Sequence, residues 1–372
     1  NDKFSILHKN SDLRKNVGEN MLDNFESSFE ILSNNIYSIE QKFNQTFKEA
    51  IVVLDIVDSS VINFSGYKKL NGSQLERENI TYVINSLKSK ISEVENQKTI
   101  LHIFNSKYQL DMKQSENLPI GLFGNFYSQE LSFFLVDKNY LKNLNNLFSK
   151  CNLRVKKFIS KGFIEGVSLL NDYSNLETFF QIRLDKDCSQ VILFQNSSLK
   201  FIQNFNFGTN LIINDISKIT GLEKNIVEKI LQNSNLFSED IKMQNIEKEF
   251  FEKQNFMNIK KKLILDIAGA RIQELAEITL LKNINVFSFL KSDTSIFLII
   301  NDELQKSNFT SIYDNFFSNQ KIFKLKIVDN FQIHNNLKNI FNLVQFGWKK
   351  EAIPIVQEKK SLITRFFNLI FD

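Results

Sequence analysis

Chemistry in this chain would have to come from very few places. Asp55 and Asp58 flank the end of an apolar run, Ile51-Val52-Val53-Leu54, and two carboxylates so placed suggest an acid pair. Capping of the turn at Asp58-Ser59-Ser60 is the reading that position favours. Arg183 and Lys186 lie in residues 181–188, Gln-Ile-Arg-Leu-Asp-Lys-Asp-Cys, where two cations could supply charge to a phosphate; so polar a link between strands reads first as a solvated hairpin. His8, His102 and His334 are scattered, with no Cys or carboxylate at metal-ligand spacing, so no metal site is expected and each His is read as structural. Cys151 and Cys188 form no CxxC and have no reason to pair, which makes a reduced, cytoplasmic setting the expectation. No GxSxG, Walker A or HExxH pattern occurs.

The strongest physical signal is at the C-terminus. Wound at about 100° per residue, residues 361–372 place Leu362, Ile363, Phe366, Phe367, Leu369, Ile370 and Phe371 on one arc of roughly 200°. Ser361, Thr364, Arg365, Asn368 and Asp372 share the other side. Such a helix is too short to span a bilayer and is built to lie in an interface; a terminal helix docked on its own domain is the alternative. Residues 348–360, charged and carrying one of two prolines, read as its tether. Burying seven apolar side chains at ~1.5–3 kcal/mol each has an upper bound of roughly 10–20 kcal/mol, and ordering a dozen residues costs about as much. One such foot binds reversibly, so firm attachment needs several copies acting together.

The body that positions these residues is long enough for a large core and two lobes: 372 residues, 42% hydrophobic, 24% charged, with 37 Phe. A net charge of +4, spread along the chain, gives no argument for nucleic acid. No run of about eighteen apolar residues is present to span a bilayer. The chain opens on Asn1 without a signal peptide or initiator Met, and we expect the true N-terminus to lie before it.

Three- and four-residue apolar steps predict a helix over 18–43. Residues 51–54 read as a strand inside a sheet, because both faces are apolar, and 61–64 as a second strand. Ser73 and Glu76 read as a capping box opening a helix that runs through Val94. Strands at 99–104, 108–111 and up to 132–136 complete a small helix-plus-strands module. Beyond it come a helix over 140–148, a strand over 153–159 and a helix over 162–170. Strands at 179–184, 190–195 and 199–204 are parted by polar tripeptides and read as a meander. Helices follow at 210–219, 223–231 and 259–281, then strands at 285–289, 296–300 and 321–327 alternating with helices at 309–317 and 335–346. This is an α/β pattern.

Residues 199–222 place a strand before Gly208 and then a helix start, Asn214-Asp215-Ile216. That stretch resembles the FtsA family of cell division proteins, actin-like membrane tethers. Residues 108–136, with Asn117-Leu-Pro-Ile-Gly121 at their centre, residues 143–170, and Ala270-Arg271 with Glu274-Leu275 resemble the same family in the same order, and the terminal foot is a fifth match. The resemblance covers roughly residues 30–372. It implies an α/β, actin/Hsp70-like (ribonuclease H-like) two-lobed fold with an inserted small α+β subdomain. The expected divisions are 1–69 first lobe with its opening strands missing, 70–137 inserted subdomain, 138–175 first-lobe return, 176–222 second lobe and 223–283 its outer subdomain. Residues 284–347 complete the second lobe and closing helix, 348–360 form the linker and 361–372 the membrane-targeting helix.

The resemblance also implies function. Family members bind ATP and Mg, here in the region of Gly208 and Asn210. They grip the C-terminal peptide of FtsZ, here through Arg271 and Glu274. They self-associate into filaments and stand at the division site, on the cytoplasmic face of the inner membrane, here through Leu362, Ile363, Arg365, Phe366, Phe367, Leu369, Ile370 and Phe371. The departures are in the nucleotide loops. Phosphate cradles need glycine so that backbone N–H groups approach closely, yet residues 181–188 contain none, and Asn301-Asp302-Glu303 stands where the adenosine-side double glycine belongs. The expectation is weak or no ATP binding and no enzyme activity. An actin-fold ATPase or sugar kinase, or an actin-like assembly protein of the pilus-machinery type, is the alternative.

Overall fold

The computed structural model describes residues 5–10, 22–55, 58–233, 244–251, 255–319, 321–328 and 333–352. The expected terminal foot, the rest of the linker and the start of the first helix lie outside these residues.

Three sheets organise the chain. The largest comes from the run read as a meander. β7 (Phe179–Leu184), β8 (Ser189–Gln195) and β9 (Ser198–Phe205) pair antiparallel. β10 (Ser295–Ile300) then lies parallel to β7, and β11 (Lys324–Val328) parallel to β10, giving the order β11-β10-β7-β8-β9. Every side chain of β7 is buried, as a central strand packed on both faces requires. One face carries α5 (Asn210–Thr220), α6 (Lys224–Gln232), α7 (Lys261–Ala276) and α9 (Glu303–Phe317) over a core that includes Ile182, Val191, Ile216, Ile264 and Phe309. The other face meets α4 (Lys161–Asp172) and α10 (Ile333–Phe346). The α4 helix reaches this sheet because Gly166 leaves room: a Cβ there would stand 2.1 Å from the Phe194 ring.

The first lobe is built around β1 (Glu49–Leu54) and β6 (Arg154–Ser160), which pair parallel, with α1 (Phe25–Phe43) and α3 (Lys138–Lys150) beside them. Residues 51–54 were expected inside a sheet. Among the described residues β1 has β6 as its one neighbour, and Ile51 and Val53 stay more than a third exposed. In the second lobe the counterpart β10 has a strand on both sides and is buried almost throughout. The fold is the expected α/β, actin-like arrangement.

The inserted module is a four-stranded antiparallel sheet, β2 (Ser59–Lys69), β5 (Phe126–Asp137), β3 (Lys98–Leu110) and β4 (Lys113–Ser115) in that order, with α2 (Arg77–Val94) on one face. Since β2 pairs with β5 along its whole length, the sheet crosses the boundary drawn at 69/70. Residues 99–104 and 108–111, read as separate strands, are one strand with two irregularities. The helix opens at Arg77, not Ser73, because Ser73 and Leu75 are bonded through their backbones to Gly124, Leu122 and Gly121; Glu76 and Asn79 form the capping box instead.

Two further expectations are corrected. Residues 285–289 contain not a strand but α8 (Ile284–Phe287), capped by the Asn283 side chain. The long helix predicted over 259–281 keeps α-geometry to Ala276 and closes as a π-turn over Glu277–Leu281.

Candidate functional site

The residues that follow β1, β7 and β10 converge on one cluster of charges at the ends of those strands. Arg183, on the central strand β7, has no exposed side-chain surface and is surrounded by carboxylates. Its Nη2 donates to Asp55 Oδ1 at 2.7 Å. Its Nε is 3.2 Å from Glu165 Oε2, and its Nη2 is 3.8 Å from Asp185 Oδ2. Asp55 follows β1 in the first lobe, and its other oxygen accepts from Lys161 Nζ at 2.7 Å. Glu165, on α4, also accepts from Gln181 Nε2 at 2.9 Å. Asn301 donates to Asp185, so the loop after β10 closes the same cluster.

Each charge is set by its neighbours. Burial acts to lower the Arg183 pKa, but Glu165, Asp55 and Asp185 outweigh it and hold the guanidinium above its ordinary value. Burial raises the Glu165 carboxyl, and Arg183 and Lys161 only partly offset this. For Asp55 burial also acts upward, yet Arg183 and Lys161 together bring it below the usual carboxylate range.

Gly208 is required by this packing. A Cβ on it would lie 2.1 Å from the Asp185 carbonyl oxygen, so only glycine lets the loop lie on the β7–β8 hairpin. Thr209 and Asn210 then donate their backbone N–H groups to the carbonyls of Asp185 and Lys186, 2.9 Å each. The Asn210 amide donates to Asp187 Oδ1 at 2.7 Å, and the Thr209 hydroxyl to Asp302 Oδ2 at 3.1 Å. These residues do not fit a triphosphate. The N–H groups of Thr209 and Asn210 are spent on the hairpin, the buried cation of this cluster, Arg183, faces three carboxylates, and a phosphate would meet Asp55, Asp185 and Asp187 first.

Elsewhere, Arg271 lies on α7 as expected, about a quarter exposed, and donates from Nε to Asp215 on α5 and from Nη1 to Glu274. The structure thus brings Arg271 and Glu274 together, far in sequence from Gly208 and Asn210. The ion pairs of the Arg183 cluster use Asp55, Glu165 and Asp185 rather than Asp58. No group of three or more His, Cys, Asp or Glu suited to a metal occurs among the described residues.

Residues 348–352, expected as the start of a free tether, are docked. The Ala352 N–H donates to the Ile103 carbonyl and the Asn105 N–H to the Lys350 carbonyl, so this segment lies antiparallel on the edge of β3. Trp348 Nε1 donates to the Ser197 carbonyl at 3.0 Å. His102 is buried among Phe104, Phe134 and Phe163. Its Nε2 accepts from the Ser160 N–H at 3.2 Å, which leaves the proton on Nδ1 to be donated to Glu351 at 2.8 Å. Burial raises the Glu351 carboxyl, but His102 and Lys157 outweigh this and hold it below its ordinary range. Sequence reasoning missed Asp55 and Glu165 as partners of Arg183, Lys161 as partner of Asp55, and Glu351 as partner of His102. The one available signal was a charge inside an otherwise apolar strand or helix.

No protein-family model matches the chain. It is 23% identical over 243 residues, 63% of its length, to the cell division protein FtsA of Buchnera aphidicola subsp. Baizongia pistaciae, and 20% identical over 230 residues, 62% of its length, to that of Buchnera aphidicola subsp. Acyrthosiphon pisum. The matches span 57% and 54% of those relatives, a little over half of each. Among solved structures, a PilM-PilN type IV pilus biogenesis complex superposes with a TM-score of 0.47 at 8% identity, covering 86% of this chain and 83% of that one. The chain is similar in sequence to FtsA-type cell division proteins over about three fifths of its length.

Proposed function

We propose that this chain is a non-catalytic scaffold of cell division: an actin-like body that grips the C-terminal peptide of FtsZ and attaches to the cytoplasmic face of the inner membrane through residues 361–372. The similarity to FtsA across about three fifths of the chain carries the reading. The apolar arc of Leu362, Ile363, Phe366, Phe367, Leu369, Ile370 and Phe371 supports the membrane contact, and the mismatch between the Arg183 cluster and a triphosphate supports a role without ATP hydrolysis. Self-association into filaments belongs to the same reading, since one foot holds weakly and a row of them shares an effective concentration.

Arg271 is the residue proposed to meet the FtsZ peptide. Its present partners are the carboxylates of Asp215 and Glu274, so an acidic peptide would exchange like for like, while Glu274 flanks the site. A pull-down with a synthetic FtsZ C-terminal peptide tests this. We expect capture of the full chain and a loss of about 1.5–3 kcal/mol of binding for Arg271→Glu, the worth of a hydrogen bond to a charged group. No capture by the unaltered chain would overturn the reading.

A further inference from the structure

We propose that the ion-pair cluster centred on Arg183 is an internal clamp, built from the chain's own carboxylates, that joins the two lobes where a two-lobed protein of this fold would otherwise be joined by a bound phosphate ligand. The inference does not depend on the proposed FtsZ or membrane contacts.

Three observations carry it. The first is connectivity. Asp55 leaves the end of β1 in the first lobe, 128 residues from Arg183 in the central strand of the second, and the two are in direct hydrogen-bond contact at 2.7 Å. Lys161, at the start of α4, which packs on the second lobe's sheet, holds the other oxygen of the same carboxylate, so Asp55 is gripped by two cations from that side. The second is burial. Arg183 has no exposed side-chain surface and Glu165 almost none, and such charges persist only where each compensates the other. The third is position. The β7–β8 hairpin, the Gly208 loop and Asn301 after β10 all turn their polar groups onto one another: Gly208 against the Asp185 carbonyl, Asn210 on Asp187, Asn301 on Asp185. These are the loops from which a ligand would draw its donors, and most of their polar groups are engaged within the chain, although Arg183 Nη1, Gln181 Oε1 and Asp185 Oδ2 make no hydrogen bond there.

A ligand that closes two lobes does so by differential contact with the closed state. Here the same difference is supplied within the polypeptide, by an ion pair between a cation on one lobe and a carboxylate on the other. Opening the cleft would strip Asp55 from Arg183 while leaving the guanidinium facing Glu165 and Asp185. The closed arrangement is therefore a property of the polypeptide and does not depend on nucleotide concentration.

Hydrogen exchange on the full chain, followed by mass spectrometry, tests this with Asp55→Asn against Asp58→Asn, a neighbouring carboxylate outside the cluster. Because Asp55 is half-exposed, its replacement should leave the chain folded. We expect Asp55→Asn to speed exchange in β1 and the first turn of α4 by about tenfold or more, the equivalent of one lost hydrogen bond to a charged group, and Asp58→Asn to leave both unchanged. In an Arg183→Lys background the added effect of Asp55→Asn should shrink, because the two act on one contact. Millimolar Mg-ATP should leave the melting temperature of the unaltered chain in place. Exchange in Asp55→Asn equal to that of the unaltered chain would overturn the clamp. So would a rise in melting temperature with Mg-ATP, which would mean that the cleft opens to a ligand.

Discussion

Glu351 shows how a single side chain fixes where the body ends. It stands three residues after Trp348, the chain's one tryptophan, and joins His102 and Lys157 through separate oxygens. Its carboxyl is held below its ordinary value in the folded chain, so its contribution is complete above the unfolded value near 4.5 and is lost as pH falls through the folded value. Trp348 fluorescence should therefore shift to the red as pH drops below about 4.5, reporting release of the segment. Glu351→Gln should show the exposed-tryptophan spectrum already at pH 7, and a spectrum equal to that of the unaltered chain would remove the carboxylate from this role. None of this was legible beforehand. His102 was read as a lone structural His and Glu351 as tether, because their separation of 249 residues gives no local pattern.

At the scale of elements, periodicity was legible wherever the chain packs on itself locally. The three strands β7 to β9 begin and end within about a residue of where apolar runs and polar tripeptides place them, and α3, α5 and α10 follow their three- and four-residue steps. Period sets the face a residue occupies but not its neighbour. Ile51 to Leu54 has the composition of a central strand and stands beside a single one, while 285–289, apolar enough for a strand, is a short capped helix. The proposed foot is also an element, and it is testable alone. Phe366→Glu or Phe367→Glu should release the protein from anionic vesicles without lowering its melting temperature, because a charge in the acyl boundary removes the burial gain and adds desolvation. Deleting residues 361–372 should act alike. Loss of several degrees of thermal stability with co-sedimentation intact would make the segment part of the core. Binding should rise steeply with protein density on the vesicle.

Among the described residues the molecule holds a second lobe of five strands, a first lobe with two paired strands, and a four-stranded module inserted in the chain between those two strands. The module and second lobe meet edge to edge, where Asn63 and Asn204 reach across between β2 and β9 and Lys200 pairs with Glu130. The first lobe ends differently. Among the described residues, the side of β1 away from β6 has no strand hydrogen-bonded to it, and Ile51 and Val53 on one face of the strand are more than a third exposed. An open strand edge of that kind is a template for any extended chain, including a misfolded copy of itself. In the flask this makes a colloidal prediction: dilute samples stay clear, while concentrated ones scatter increasing light as copies join along this margin. A gatekeeper charge, Val53→Lys, should raise the concentration at which scattering begins and leave peptide capture untouched, whereas an unchanged onset would put the sticky surface elsewhere.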